Sequence, residues 1–171
     1  MISRTLQPLI NQQLRAYPGK PVLLNGAAGT GKFTLAQAIA SDFAQQILLD
    51  MSLPSDRKLF ENEDSPEMVL KGIFFSRKKN YQNRKSLIVI REIGMSRAAC
   101  RRVIQWSRQS IPFQIICSTS QRDDFSEPPI GHMASPVASF HVAPLSFDEF
   151  LQASGDHALQ EAFLEVPIPR F

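Results

Sequence analysis

The sequence predicts an α/β fold of three layers, a mostly parallel central sheet flanked by helices. Four apolar runs of strand length, PVLLN (21–25), QILLDM (46–51), SLIVI (86–90) and PFQIIC (112–117), alternate with segments of helical spacing. That alternation is the signature of βαβ crossovers. SLIVI also lacks polar alternation, as a strand buried on both faces of a parallel sheet requires.

The elements follow in order. Ile2, Leu6, Leu9, Ile10 and Leu14 line one face of an N-terminal helix, with Pro8 in its first turn or starting a shorter one. PVLLN ends in a Gly-rich turn, after which Phe33, Ala36, Ile39, Ala40 and Phe43 take helical spacing. Ser65 and Pro66 read as N-cap and first residue of the helix EMVLKGIFFSRKK. Ser96 precedes RAACRRVIQWSRQ, where Ala99, Val103 and Trp106 or Ile104 face the sheet. The polar, proline-containing stretch Ser118 to Pro136 reads as an exposed loop. Ser146 and Glu149 have capping-box spacing, Gly155 is a stop, and VPIPRF is an extended tail.

Composition bounds the class. The chain has 171 residues, 43% apolar and 20% charged, with 8 Gly and 12 Pro and no repeat, which argues against disordered, collagenous and solenoid classes. No apolar run approaches the roughly 20 residues that cross a bilayer, and the first 20 residues lack a signal-peptide centre, so the expected location is the cytoplasm, without membrane association. Cys100 and Cys117 lack further ligands at metal spacing, as do His132, His141 and His157, so no metal site is expected from them. The net charge of +3 hides an asymmetry: residues 77–108 hold ten basic side chains against the single acid Glu92. Such a run suits a solvated face, a phosphate-attracting surface for nucleic acid, or a dock for an acidic protein partner.

The strongest chemical signal is Gly26-Ala27-Ala28-Gly29-Thr30-Gly31-Lys32, the G-x-x-x-x-G-K (Walker A) pattern between a strand and a helix. Its glycines let consecutive backbone N–H groups converge on phosphate, the helix N-terminus adds partial positive charge, and Lys32 reaches the outer phosphates. A Gly-rich turn that merely caps a helix would require neither the lysine nor the strand. The next position calls for a Ser or Thr hydroxyl on Mg²⁺, yet it is Phe33. Thr34 is rotated by about 100° from that position. A later strand should end in a metal-holding Asp, but SLIVI runs into Arg91-Glu92. Both changes argue against Mg²⁺. Two readings of Arg91 stand open: contact with phosphate, or pairing with Glu92 or solvent in a site without nucleotide. Glu92 holds the place of a water-activating base, with little to offer hydrolysis in the absence of metal.

The chain resembles the bacterial and archaeal AAA-type P-loop ATPases that carry a C-terminal domain of unknown function. The likeness covers roughly residues 3 to 165 and rests on RTLQPLI, LLNGAAGTGKFTLAQAIA, LIVIRE and APLSFDEFLQASGD, the last being the most discriminating. Family members carry Thr at Phe33, Asp at Arg91 and a Gly-Arg pair where this chain has Ala138-Ser139, and Ser118 to Ser120 resemble a polar sensor region. The chain thus reads as a degenerate, truncated member. The resemblance implies a single AAA-like domain over 1–171, with an N-terminal helix (1–20), a nucleotide-binding core (21–145) and a C-terminal helical segment with tail (146–171). It implies ATP or ADP as ligand, contacted by Gly26, Ala27, Ala28, Gly29, Thr30, Gly31, Lys32, Phe33, Thr34 and Arg91. The leading expectation is a nucleotide-binding pseudo-ATPase. The alternatives are a slow Mg²⁺-ATPase that uses Glu92, and an interaction module that uses the segment Arg77 to Arg108.

Overall fold

The structure, a computed structural model, describes residues 4–62, 64–83, 85–109, 111–120 and 137–154. Among the described residues, five strands form a parallel sheet: β1 (Val22–Asn25), β2 (Gln45–Asp50), β3 (Ser86–Arg91), β4 (Gln114–Thr119) and β5 (Ala138–His141). Their order is β2-β3-β4-β1-β5. Helices α1 (Leu6–Ala16) and α2 (Lys32–Ala40) cover one face, and α3 (Pro54–Glu61), α4 (Pro66–Ser76) and α5 (Arg97–Gln109) the other. α6 (Phe147–Ser154) follows β5. This is the three-layer α/β architecture that the alternating runs predict.

Strand alternation divides the core. Leu87 and Val89 pack with Ile10, Leu14, Leu35 and Ile39 under α1 and α2, whereas Ile88 and Ile90 pack with Phe60, Phe74 and Trp106 under α3 to α5. β3 is therefore buried on both faces, in keeping with its uninterrupted apolar run. Trp106, fully buried, donates its indole N–H to Pro66 O at 3.0 Å and so fixes the start of α4 against α5. A side chain of this kind contributes about 1.5–3 kcal/mol by burial.

The caps behave as the sequence indicates. Ser65 accepts from Met68 N, Ser96 from Ala99 N, and Ser146 and Glu149 exchange both bonds of a capping box at 3.1 Å each. Pro8 lies within the first turn of α1. Two elements, α3 and β5, go beyond the sequence reading. α3 begins with Pro54 in its first turn and buries Asp56 and Phe60, with Leu59 partly buried against the core. β5 is a four-residue edge strand whose pairing to β1 defines it.

The loop expected over Ser118 to Pro136 is corrected at its start. Ser118 and Thr119 are buried in β4, where they pair with Leu24 and Asn25 of β1. Residues 121–136, Gly155 and the VPIPRF tail lie outside the described residues.

The basic segment is divided by β3. Lys78, Lys79 and Lys85 stand at the amino end of that strand, Arg91 at its carboxyl end, about 20 Å away for six extended residues. Arg77 is committed to the fold: it donates to Asp56 Oδ1 at 2.5 Å and to Leu48 O at 3.1 Å. It thereby occupies a carbonyl of the β2 edge, which a foreign strand could otherwise pair with. Arg102 similarly donates to Asn62 O at 2.7 Å.

Candidate functional site

Because the five described strands are parallel, their carboxyl ends open on one rim, where ligands of such sheets bind. The loop after β1, the ends of β2, β3 and β4 and the segment after β5 meet there.

The loop is shaped by its glycines. Gly26 has φ +147°, and a Cβ on it would stand 2.4 Å from Val142 O, inside van der Waals contact with backbone. Gly31, at φ +83°, is the left-handed N-cap of α2. Ala27, Ala28 and Gly29 are exposed, and Thr30 is buried with its hydroxyl on Ala27 O at 3.0 Å. Lys32 curls over the loop and donates to Gly26 O at 2.8 Å and to Ala27 O at 2.6 Å. Burial pushes the Lys32 ammonium below its ordinary value, and the Glu92 carboxylate partly offsets this.

Across from the loop, the two unexpected residues meet. The Arg91 guanidinium lies 4.4 Å from the centroid of the Phe33 ring and 3.2 Å from Asp50 Oδ2. Register places Asp50 and Arg91 side by side on β2 and β3. Asp50 Oδ1 accepts from Ser52 N at 2.9 Å and Ser52 Oγ at 2.7 Å. Burial raises the Asp50 carboxyl, but the two Ser52 bonds and the Arg91 charge outweigh it, so the group sits below its ordinary value. Arg91 therefore does not pair with Glu92. That carboxylate turns to β4 and accepts from Ser120 N at 3.0 Å and Ser120 Oγ at 2.7 Å. Glu92 has φ +47°, a left-handed conformation uncommon for a non-glycine residue, and both its oxygens are engaged.

The two positions at which a P-loop pattern calls for Mg²⁺ ligands lack oxygen donors. Phe33 supplies no oxygen, Arg91 is a cation, and the Thr34 side chain is exposed. Among the described residues no cluster of three His, Cys, Asp or Glu could hold a metal ion.

A family model described as an AAA domain matches residues 18–151. The chain belongs to that family. Its fold is also similar to the structure of C. elegans PCH-2, with a TM-score of 0.50 and 16% identity over 96% of this chain. The chain spans 47% of the PCH-2 chain. No curated protein matches it in sequence.

In this AAA domain, Gly26 to Gly31 form one continuous loop that leads into Lys32 at the start of α2, and Phe33, Arg91 and Glu92 stand at the same rim. Among the described residues no helix is long and apolar enough to cross a membrane. Sequence reasoning missed Asp50 and Arg4. Asp50 follows an apolar run as the final residue of β2, a signal that was available. His141 Nδ1 meets Asn25 Oδ1 at 2.8 Å, and Asn25 Nδ2 donates to Ser139 Oγ at 2.8 Å, beside the first loop glycine. That juxtaposition depends on β5 pairing with β1, which no local pattern announces. His132 and His157 lie outside the described residues.

Proposed function

We propose that this AAA domain binds ATP or ADP at the Gly26–Lys32 loop without Mg²⁺ and hydrolyses it slowly or not at all. The Phe33–Arg91 stack carries the reading. A guanidinium cannot lose its charge at any physiological pH, and the aromatic face and Asp50 hold it beside the first turn of α2. It supplies fixed positive charge where an AAA ATPase would carry its metal. Lys32 adds a second cation. Its low proton affinity and its bonds to loop carbonyls suit a side chain that swings to an incoming phosphate, which raises that proton affinity again.

Hydrolysis needs a base free to orient water. Both Glu92 oxygens accept from Ser120, which leaves that base less free to orient water. A slow Mg²⁺-ATPase would require Ser120 to release Glu92 and a metal ligand from elsewhere, and no observation favours it. The interaction-module reading is weakened by the division of the basic segment between opposite ends of β3 and by the structural use of Arg77 and Arg102. We read the matched region as the working part of one AAA-like unit over residues 1–171.

Calorimetric titration with ATP and ADP, in Mg²⁺ and in EDTA, tests the proposal. Binding should survive EDTA and weaken by at least about 30-fold in Lys32→Ala, the equivalent of one charge-assisted contact. Multiple turnover that requires both Mg²⁺ and Lys32 would overturn it.

A further inference from the structure

Against the phosphate loop, a buried arginine joins three segments distant in sequence. Arg4 Nη1 donates to Thr30 O at 3.1 Å, in the loop itself, and Arg4 Nη2 donates to Ala143 O at 2.6 Å, just after β5. Its Nε lies 3.3 Å from Glu149 Oε2, an ion pair without hydrogen-bond alignment. Glu149, 4% exposed, is in turn saturated: Oε1 accepts from Thr5 N at 2.9 Å and Thr5 Oγ1 at 3.0 Å, and Oε2 from Ser146 N at 3.1 Å. Two charged side chains are withdrawn from water here, paired by charge, with their hydrogen bonds made to backbone and to Thr5 Oγ1.

The contact with Thr30 O has a specific consequence. Thr30 C=O and Gly31 N–H belong to one planar trans peptide, so they point in opposite directions. Holding the oxygen toward Arg4 fixes the Gly31 N–H to face away from it. A glycine at φ +83° has no side chain to restrain that plane, so the restraint must come from outside. Arginine suits the task, because its rigid fork reaches two carbonyls and a carboxylate at once, which the single ammonium of lysine does not.

We propose that Arg4 and Glu149 are positioning residues for the phosphate loop: anchored to α6 by Glu149, Arg4 sets the Thr30–Gly31 peptide plane and so aims the Gly31 N–H at bound phosphate. This rests on the nucleotide reading above only in naming phosphate as the target. The brace also gives Ser146 and Glu149 a part in the loop, since they anchor the arginine that orients it.

Hydrogen exchange of the full chain, read in the absence of nucleotide, tests the brace. Glu149→Gln replaces one acceptor oxygen by an amide that must face either Thr5 or the Arg4 and Ser146 donors. Exchange at the Thr30 and Leu35 amides, which donate to Ala27 O and Gly31 O, should quicken about tenfold, while the β3 amides of 87–90 keep wild-type rates. Arg4→Lys should do the same despite retaining its charge. Should either variant fail to fold, Thr5→Ala removes one bond to Glu149 and should quicken loop exchange by a smaller factor. Wild-type loop exchange in folded variants would overturn the proposal. In parallel, ATP affinity measured in EDTA should fall about tenfold in Glu149→Gln. Loop exchange that responds in a protein binding no ATP would remove the nucleotide reading and leave the brace standing.

Discussion

The two sides of the rim are held by different means. The loop after β1 is fixed through backbone: Gly26 against Val142 O, Thr30 O on Arg4, and Val142 N on Asn25 O at 2.7 Å. The facing side is fixed through side chains, with Arg91 42% exposed between the Phe33 ring and Asp50. Backbone contacts of the first kind leave no slack for an added atom. The second kind is partly solvated and can be rebuilt with other residues. Variants of the loop should therefore endanger the fold itself, and variants of the facing side should change chemistry at little cost in stability.

Gly26→Ala is the severest way to break this comparison. The added Cβ meets a carbonyl oxygen at 2.4 Å in a conformation that alanine rarely adopts. Overpacking and backbone strain together should cost about 2–4 kcal/mol. Urea denaturation measures this, and a loss under about 1 kcal/mol would mean that the β5 segment yields and the loop is not braced.

The facing side is tested by Phe33→Thr combined with Arg91→Asp. Stability should change by no more than about 1 kcal/mol, since an exposed cation–π contact contributes about 0.5–1. Chemistry should change more: ATP affinity should become Mg²⁺-dependent by about tenfold or more once a hydroxyl and a carboxylate replace the stack. A double variant as indifferent to Mg²⁺ as the wild type would show that the rest of the rim no longer forms an NTPase site.

The sequence made the first of these sides legible and the second only in part. A loop fixed by glycines and a lysine over seven consecutive residues leaves a local trace, and so do the caps at Ser65, Ser96 and Ser146. Phe33 and Arg91 were each visible as departures, but their partner Asp50 comes from a neighbouring strand and is brought to Arg91 only by register. Arg4 was hidden for the same reason, since its acceptors at Thr30 and Ala143 lie 26 and 139 residues away. Strand β5 has four residues and a half-exposed pattern, so pairing to β1, not local propensity, creates it.

The mildest perturbation, Asp50→Asn, separates the sides most sharply. Its ion pair with Arg91 is half-solvated, so its loss should cost only about 0.5–1 kcal/mol near neutrality. The Asp50 carboxyl lies below its ordinary 3.8 in the folded protein. The unfolded chain therefore takes up the proton first on acidification, and the stabilisation, complete well above pH 3.8, is lost as pH falls through the folded value. The difference between wild type and Asp50→Asn should shrink over that acid range, as parallel urea titrations would record. Binding sharpens the point further. In the proposed binding mode Asp50 and a phosphate compete for the same guanidinium, so removing the carboxylate should leave ATP affinity in EDTA equal or higher, whereas disrupting the Arg4 brace should lower it. A marked loss of affinity in Asp50→Asn would mean instead that the carboxylate is needed to aim Arg91, and that the facing side is as tightly positioned as the loop.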